Sequence, residues 1–150
     1  MAPRTSDTSL TDTASHLRDA VVRTSRALRQ EAATETGLTP TATAALATIN
    51  RSGPLTPSEL AELERVKRPT MTRTLGCLER EGLVERTADP ADGRSFLVAI
   101  NDAGRERMAR LRRRKSAYLA RRLRKLDPEE VKTLARAAEL LERMREDEQG

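Results

Sequence analysis

Flat aromatic rings are almost missing from this chain: its 150 residues include one tyrosine, one phenylalanine and no tryptophan. It therefore has no platform on which unstacked bases could lie, which argues against single-strand recognition by stacking. The lone Cys77 cannot close a disulfide within the chain, and with the lone His16 it makes no soft-metal cage. That histidine has no nearby nucleophile, no glycine-rich phosphate loop occurs, and the carboxylate pair Glu129-Glu130 sits at a helix start, where capping explains it. No run is long and apolar enough to span a bilayer, and the N-terminus lacks the apolar stretch of a signal peptide. The expectation is a cytoplasmic protein with no membrane partner, no metal, no cofactor and no catalytic residues.

Charge, by contrast, is plentiful: Asp, Glu, Lys and Arg make up 34 % of the chain, with a net charge of +5. From Ala103 to Leu126 there are eleven Lys or Arg against one acid, Glu106, so this segment carries 11 − 1 = +10 and the remainder 5 − 10 = −5. A polyanion suits such a segment, although a basic run is also what the solvated face of a long helix looks like.

The first twelve residues are rich in Ser, Thr and Asp and read as a disordered tail, followed by one domain over 13–150. Leu17, Val21 and Leu28 mark the apolar stripe of a helix over about 13–35. Thr39-Pro40 starts a second helix whose buried face runs from Ala44 to Ile49. Thr56-Pro-Ser-Glu59 forms a capping box ahead of a short helix to Leu63. After the turn Glu64-Arg65-Val66, Met71, Leu75 and Leu78 recur at helical spacing until Gly82, which suits a left-handed cap. Two strand-like runs, Leu83 to Thr87 and Phe96 to Ile100, then flank Ala88-Asp-Pro-Ala-Asp-Gly-Arg-Ser95, whose Asp-Gly suits a hairpin turn. Asn101-Asp102 and Asp127-Pro-Glu-Glu130 cap two further helices within about 102–147. In the last, Val131, Leu134, Ala138 and Leu141 form one stripe, while Ala137, Leu140 and Met144 overlap a second. The combined face is wider than one neighbouring helix needs, which points to a subunit interface.

This order predicts a mainly α fold with a small β-hairpin wing: a winged helix-turn-helix over about 39–100, with N- and C-terminal dimerisation helices. A helix fits the DNA major groove, and a hairpin beside it can reach an adjacent minor groove, where Arg94 would meet concentrated negative potential. Asp92 is expected to orient the Arg94 guanidinium through a bidentate pair.

The runs Leu55-Thr-Pro-Ser-Glu-Leu-Ala61, Pro69-Thr-Met-Thr-Arg73, Leu78-Glu-Arg-Glu-Gly-Leu-Val-Glu-Arg86 and Asp89-Pro-Ala-Asp-Gly-Arg94 together resemble the multiple-antibiotic-resistance regulator (MarR) family. The resemblance implies a homodimeric transcriptional regulator, usually a repressor, that binds double-stranded DNA at an inverted-repeat operator. It places Thr70, Thr72 and Arg73 on the major-groove face, Arg94 in the minor groove, and Thr56 and Ser58 near phosphates. Lys67 and Arg68 join the DNA-facing set by charge and position. Lys67 stands where the family commonly has a small capping residue, so the helix start is weaker and more cationic. Gly76 inside that helix costs roughly 1 kcal/mol relative to alanine unless a close contact needs it.

Leu17, Val21, Val131, Leu134, Ala138 and Leu141 are the expected dimer contacts. Relatives often bind small aromatic acids between the first, second and long helices, which makes His16, Arg23, Leu46, Ile49 and Tyr118 the candidates for an effector site. Some relatives also sense oxidants through a cysteine in the first helix; Cys77 lies elsewhere and reads as an inert thiol. Two rival readings remain open: a basic helical protein that binds nucleic acid non-specifically or holds an acidic protein partner through Arg105 to Lys125, and a helical scaffold that only self-associates.

Overall fold

The computed structural model describes residues 5–146. It contains six helices and one hairpin among them: α1 (Thr5–Thr36), α2 (Pro40–Ser52), α3 (Pro57–Leu63), α4 (Arg68–Arg80), β1 (Val84–Ala88), β2 (Phe96–Ile100), α5 (Asp102–Leu123) and α6 (Pro128–Glu146). Helix α1 starts at Thr5, so it takes in most of the stretch expected as a tail. Residues 1–4 of that tail, and residue 147 of the expected terminal helix, lie outside the described residues. Packing divides the chain into two compact units, Met1–Lys115 and Ser116–Gly150, with the break inside α5.

Local chemistry sets the helix starts in the first unit. The Thr39 hydroxyl accepts the Ala42 N–H at 3.1 Å, and Pro40 fills a position whose N–H would have no partner. At α3 the Thr56 hydroxyl accepts the Glu59 N–H at 3.2 Å, while the Glu59 carboxylate accepts the Thr56 N–H at 2.8 Å. The second unit repeats this reciprocity: the Glu130 N–H donates to Asp127 Oδ1 at 2.9 Å and the Asp127 N–H to Glu130 Oε2 at 3.0 Å.

One core joins α2, α3, α4 and the hairpin. Leu46, Ile49, Leu60, Met71, Leu75, Leu78 and Val98 are its fully buried large side chains. A two-stranded hairpin is marginal in water and needs a partner for its apolar face, which this core supplies. The strands pair antiparallel, with Val84 opposite Ile100 and Ala88 opposite Phe96. Leu55, between α2 and α3, adds a contact that the sequence pattern does not show. Its N–H donates to the Val98 carbonyl at 3.2 Å and its carbonyl accepts the Val98 N–H at 2.8 Å, fastening the hairpin to the segment that leads into α3.

The start of α5 is seated just as closely. Asn101 accepts the Gly104 N–H at 2.9 Å and donates through Nδ2 to the Gly82 carbonyl at 2.8 Å. A Cβ on Gly104 would lie 2.2 Å from the Leu83 carbonyl oxygen, so only glycine lets the helix approach this corner.

Candidate nucleic-acid interface

Helix α4 turns Met71, Thr74, Leu75 and Leu78 into the core. By the same periodicity it leaves Arg68, Thr70, Thr72 and Arg73 exposed. Lys67 occupies the N-cap with extended backbone and no side-chain cap bond, so the start of α4 is positive and lacks a covering oxygen. No hydrogen bond or ion pair reaches the side-chain cations of Lys67, Arg68 or Arg73 among the described residues. The Thr72 hydroxyl donates to the Arg68 carbonyl at 3.0 Å, which leaves its lone pairs free to accept.

The start of α3 is different. The Thr56 hydroxyl also donates to the Glu59 carboxylate at 2.9 Å, so Thr56 is committed to its own helix cap. Its backbone N–H and then its hydroxyl hold the Glu59 carboxyl below the usual glutamate range. Both Thr56 donors are thus taken up by the Glu59 carboxylate. Ser58 is half-buried on the same short helix.

At the wing, two aspartates build the turn. Asp89 Oδ1 accepts the Ala91 N–H at 2.9 Å and Asp92 Oδ1 accepts the Arg94 N–H at 3.0 Å. Asp92 was expected to hold the guanidinium of Arg94; it holds the backbone instead, because an aspartate two residues before an N–H closes an Asx turn. The Arg94 side chain is exposed, with no ion pair to a carboxylate among the described residues.

A tie between the wing and α4 has no counterpart in the sequence reading. Arg86 on β1 donates through Nε to the Glu79 carboxylate at 2.5 Å, and its guanidinium lies 4.1 Å from the centre of the Phe96 ring. It links the last turn of α4 to both strands. No local spacing rule marks Glu79 and Arg86 as partners, since one lies on a helix and the other on a strand.

The candidate effector residues are not brought together. Leu46 and Ile49 are sealed in the core, His16 and Arg23 are exposed on α1, and Tyr118 lies under the Arg122 guanidinium, 4.5 Å from its ring centre. A cavity of about 400 Å³ does open between α1, α2 and the first half of α5, but other residues line it. Ala32, Ala44, Ala47, Met108 and Leu111 supply apolar wall, and Arg26, Arg29 and Lys115 supply positive charge. The small alanines that create this space do not stand out in a hydrophobic pattern. Arg114 closes α1 against α5 nearby, donating through Nε to the Glu31 carbonyl at 3.0 Å.

Of the expected dimer contacts, Leu17, Val21, Leu134, Ala138 and Leu141 are exposed, while Val131 is half-buried beside Leu123 and Leu126. Cys77 is half-buried against the core. No helix among the described residues is long and apolar enough to cross a membrane.

With this geometry in view, comparison with known proteins converges. The sequence model of the MarR family matches residues 38–96, which contain the helix-turn-helix and the hairpin turn. The chain is 39 % identical over 129 residues to an uncharacterized HTH-type transcriptional regulator of Mycobacterium bovis, covering 85 % of this chain and 89 % of the relative. Its fold superposes on a transcriptional regulator from Thermotoga maritima with a TM-score of 0.80 at 24 % identity, over 89 % of this chain and 96 % of the other. Wild-type MarR from Escherichia coli matches with a TM-score of 0.65 at 25 % identity, over 85 % and 95 %.

Proposed function

The chain belongs to the MarR family of DNA-binding helix-turn-helix transcriptional regulators, which are not enzymes, and from that premise we propose that it is a homodimeric repressor released from its operator by a small anionic effector. In this reading α4 enters the major groove, and Arg94 reaches from the wing into the neighbouring minor groove. The observation that carries it is that Lys67 at the N-cap of α4, Arg68 and Arg73 on that helix, and Arg94 on the hairpin beside it are all exposed and uncompensated. Thr70 and Thr72 offer hydroxyls to base edges or phosphates on the same helix.

Exposed apolar side chains support the dimer. Leu17, Val21 and Val22 on α1, and Leu134, Leu140, Leu141 and Met144 on α6, remain open to water in a single copy. A second copy would bury them and hold two α4 helices about one helical turn of DNA apart, or a multiple of it. The cavity walled by Ala44, Ala47, Met108 and Leu111 supports the effector: it offers apolar volume for a ligand body and Arg26, Arg29 and Lys115 for its negative group.

Fluorescence anisotropy with the DNA upstream of the protein's own gene, a scrambled duplex and an RNA of equal length tests this reading over a salt series. A specific regulator prefers an inverted repeat, and its affinity falls steeply with salt. Equal affinity for scrambled DNA or RNA would overturn it in favour of non-specific binding through the basic helix. A monomer in sedimentation at DNA-binding concentrations would overturn the dimer.

A further inference from the structure

Helices α3 and α4 end in the same way but with different residues at the decisive position. At the end of α4 the Gly82 N–H donates to the Glu79 carbonyl at 2.9 Å and the Leu83 N–H to the Leu78 carbonyl at 3.0 Å. At the end of α3 the Arg65 N–H donates to the Glu62 carbonyl at 3.1 Å and the Val66 N–H to the Ala61 carbonyl at 3.0 Å. Both patterns are the Schellman cap, whose penultimate donor adopts a left-handed backbone. Gly82 does so at φ +68°, where glycine has no Cβ to clash. Arg65 does so at φ +52°, and among the described residues it is the one non-glycine residue with positive φ.

The two cap hydrogen bonds offset the backbone cost of arginine there, but they make no use of its side chain. Its side chain is exposed, and no hydrogen bond, ion pair or ring contact to it is found among the described residues. The adjacent Glu64 carboxylate is turned away, accepting the Thr48 hydroxyl at 2.5 Å. Non-glycine residues held in the left-handed region cluster at sites of function, which directs attention to the free guanidinium. The arginine lies in the turn leading into Lys67 and Arg68 at the start of α4, two residues from the first of these cations, and its chemical complement is an anion.

We propose that Arg65 is a DNA-binding residue, contacting a backbone phosphate from the turn between α3 and α4. This rests on the reading that α4 enters the major groove. The arginine braces the turn against the strand that borders the groove, adding affinity without reading sequence.

Arg65→Gly separates strain from function, because glycine suits the cap and removes the cation. The variant should unfold at an equal or higher temperature than the parent, yet bind DNA about five- to tenfold more weakly at about 0.1 M salt, with the slope of log affinity against log salt reduced by about 0.9. The loss should be the same factor on the upstream duplex and on its scrambled counterpart, since a phosphate contact is blind to sequence. Arg65→Lys should keep most of the affinity. Arg73→Ala serves as the reference for the underlying reading. If Arg73→Ala weakens binding and Arg65→Gly leaves affinity and salt slope unchanged, the proposal for Arg65 fails alone; if neither variant changes binding, the placement of α4 fails with it. A loss confined to the upstream duplex would also overturn the phosphate assignment.

Discussion

The arginines of α4 and the wing differ from those of α5 and α6 in what already neutralises them. On the long helices several are engaged by neighbours: Arg105 with Asp102 at 2.7 Å, Arg113 with Glu106 at 2.7 Å, Arg136 with Glu139 at 2.6 Å, and Arg122 with the Tyr118 ring. On α4 and the hairpin tip, Arg68, Arg73 and Arg94 face water with their charge uncompensated. Part of the densest positive segment in the sequence is therefore already taken up by its own acids, although Arg112, Arg124 and Lys125 there also face water. A cation already held by its own acid has less field to offer a phosphate than one held by nothing, so the pairing pattern locates the interface better than the charge count does.

Mutations can break that contrast, and Arg94→Ala should have the largest effect. It should cost specific binding roughly 1–3 kcal/mol, read by anisotropy, with the oligomeric state unchanged in sedimentation. Arg113→Ala, which removes a paired cation from α5, should change affinity far less; an equal loss from the two would erase the distinction. Glu79→Gln tests the boundary between α4 and the wing, since it frees Arg86 while leaving the end of α4 more positive. If Arg86 matters by fixing the wing, DNA affinity falls despite the added positive charge, by up to about 1 kcal/mol for an exposed pair. A gain in affinity would show that charge alone decides.

Gly76→Ala should raise the thermal midpoint. A Cβ there meets only Arg80 Nη1, at 3.5 Å, so no close approach demands glycine, and the helix gains about 0.5–1 kcal/mol. The smallest effect is expected from acid. The Arg113 guanidinium, by hydrogen bond and then by charge, holds the Glu106 carboxyl below its ordinary value. A lowered folded-state pKa stabilises above the unfolded value, and that contribution disappears as pH falls through the folded one. Melting curves of the parent and Glu106→Gln should therefore diverge near neutrality and converge in acid; curves that remain parallel would show that the pair contributes nothing.

Local signals in the sequence were sufficient for most of the fold. Thr39-Pro40, the Thr56-Glu59 box and Gly82 each act within a few residues and appear in the structure as their chemistry requires, whereas Asp92-Gly93 forms part of a longer loop over 89–95 in which Gly93 does not take the positive φ of a two-residue hairpin turn. The winged helix-turn-helix follows from their order. What escaped depends on residues far apart in the chain or on backbone angles. Leu55 pairs with Val98 and Arg86 with Glu79, and no periodicity connects either couple. Asp92 was assigned to the wrong part of Arg94, because composition shows that a carboxylate and a guanidinium are near without showing that the nearer N–H takes the oxygen. The cavity beside α1 and α2 escaped for a different reason. Leu46 and Ile49 have the apolar character of a pocket wall, but a cavity forms where side chains are small, and alanines at 32, 44 and 47 carry no such signature.

The seat of Gly104 has a mechanical consequence. Asn101 ties the start of α5 to the Gly82 carbonyl, and the missing Cβ lets the helix rest directly on the Leu83 carbonyl, immediately after α4 ends. The first turn of α5 is thus pinned to the segment in which α4 ends. With the Leu83 carbonyl oxygen and the Ile100 side chain both within reach of a Cβ at position 104, any larger residue there would lift the helix off its seat.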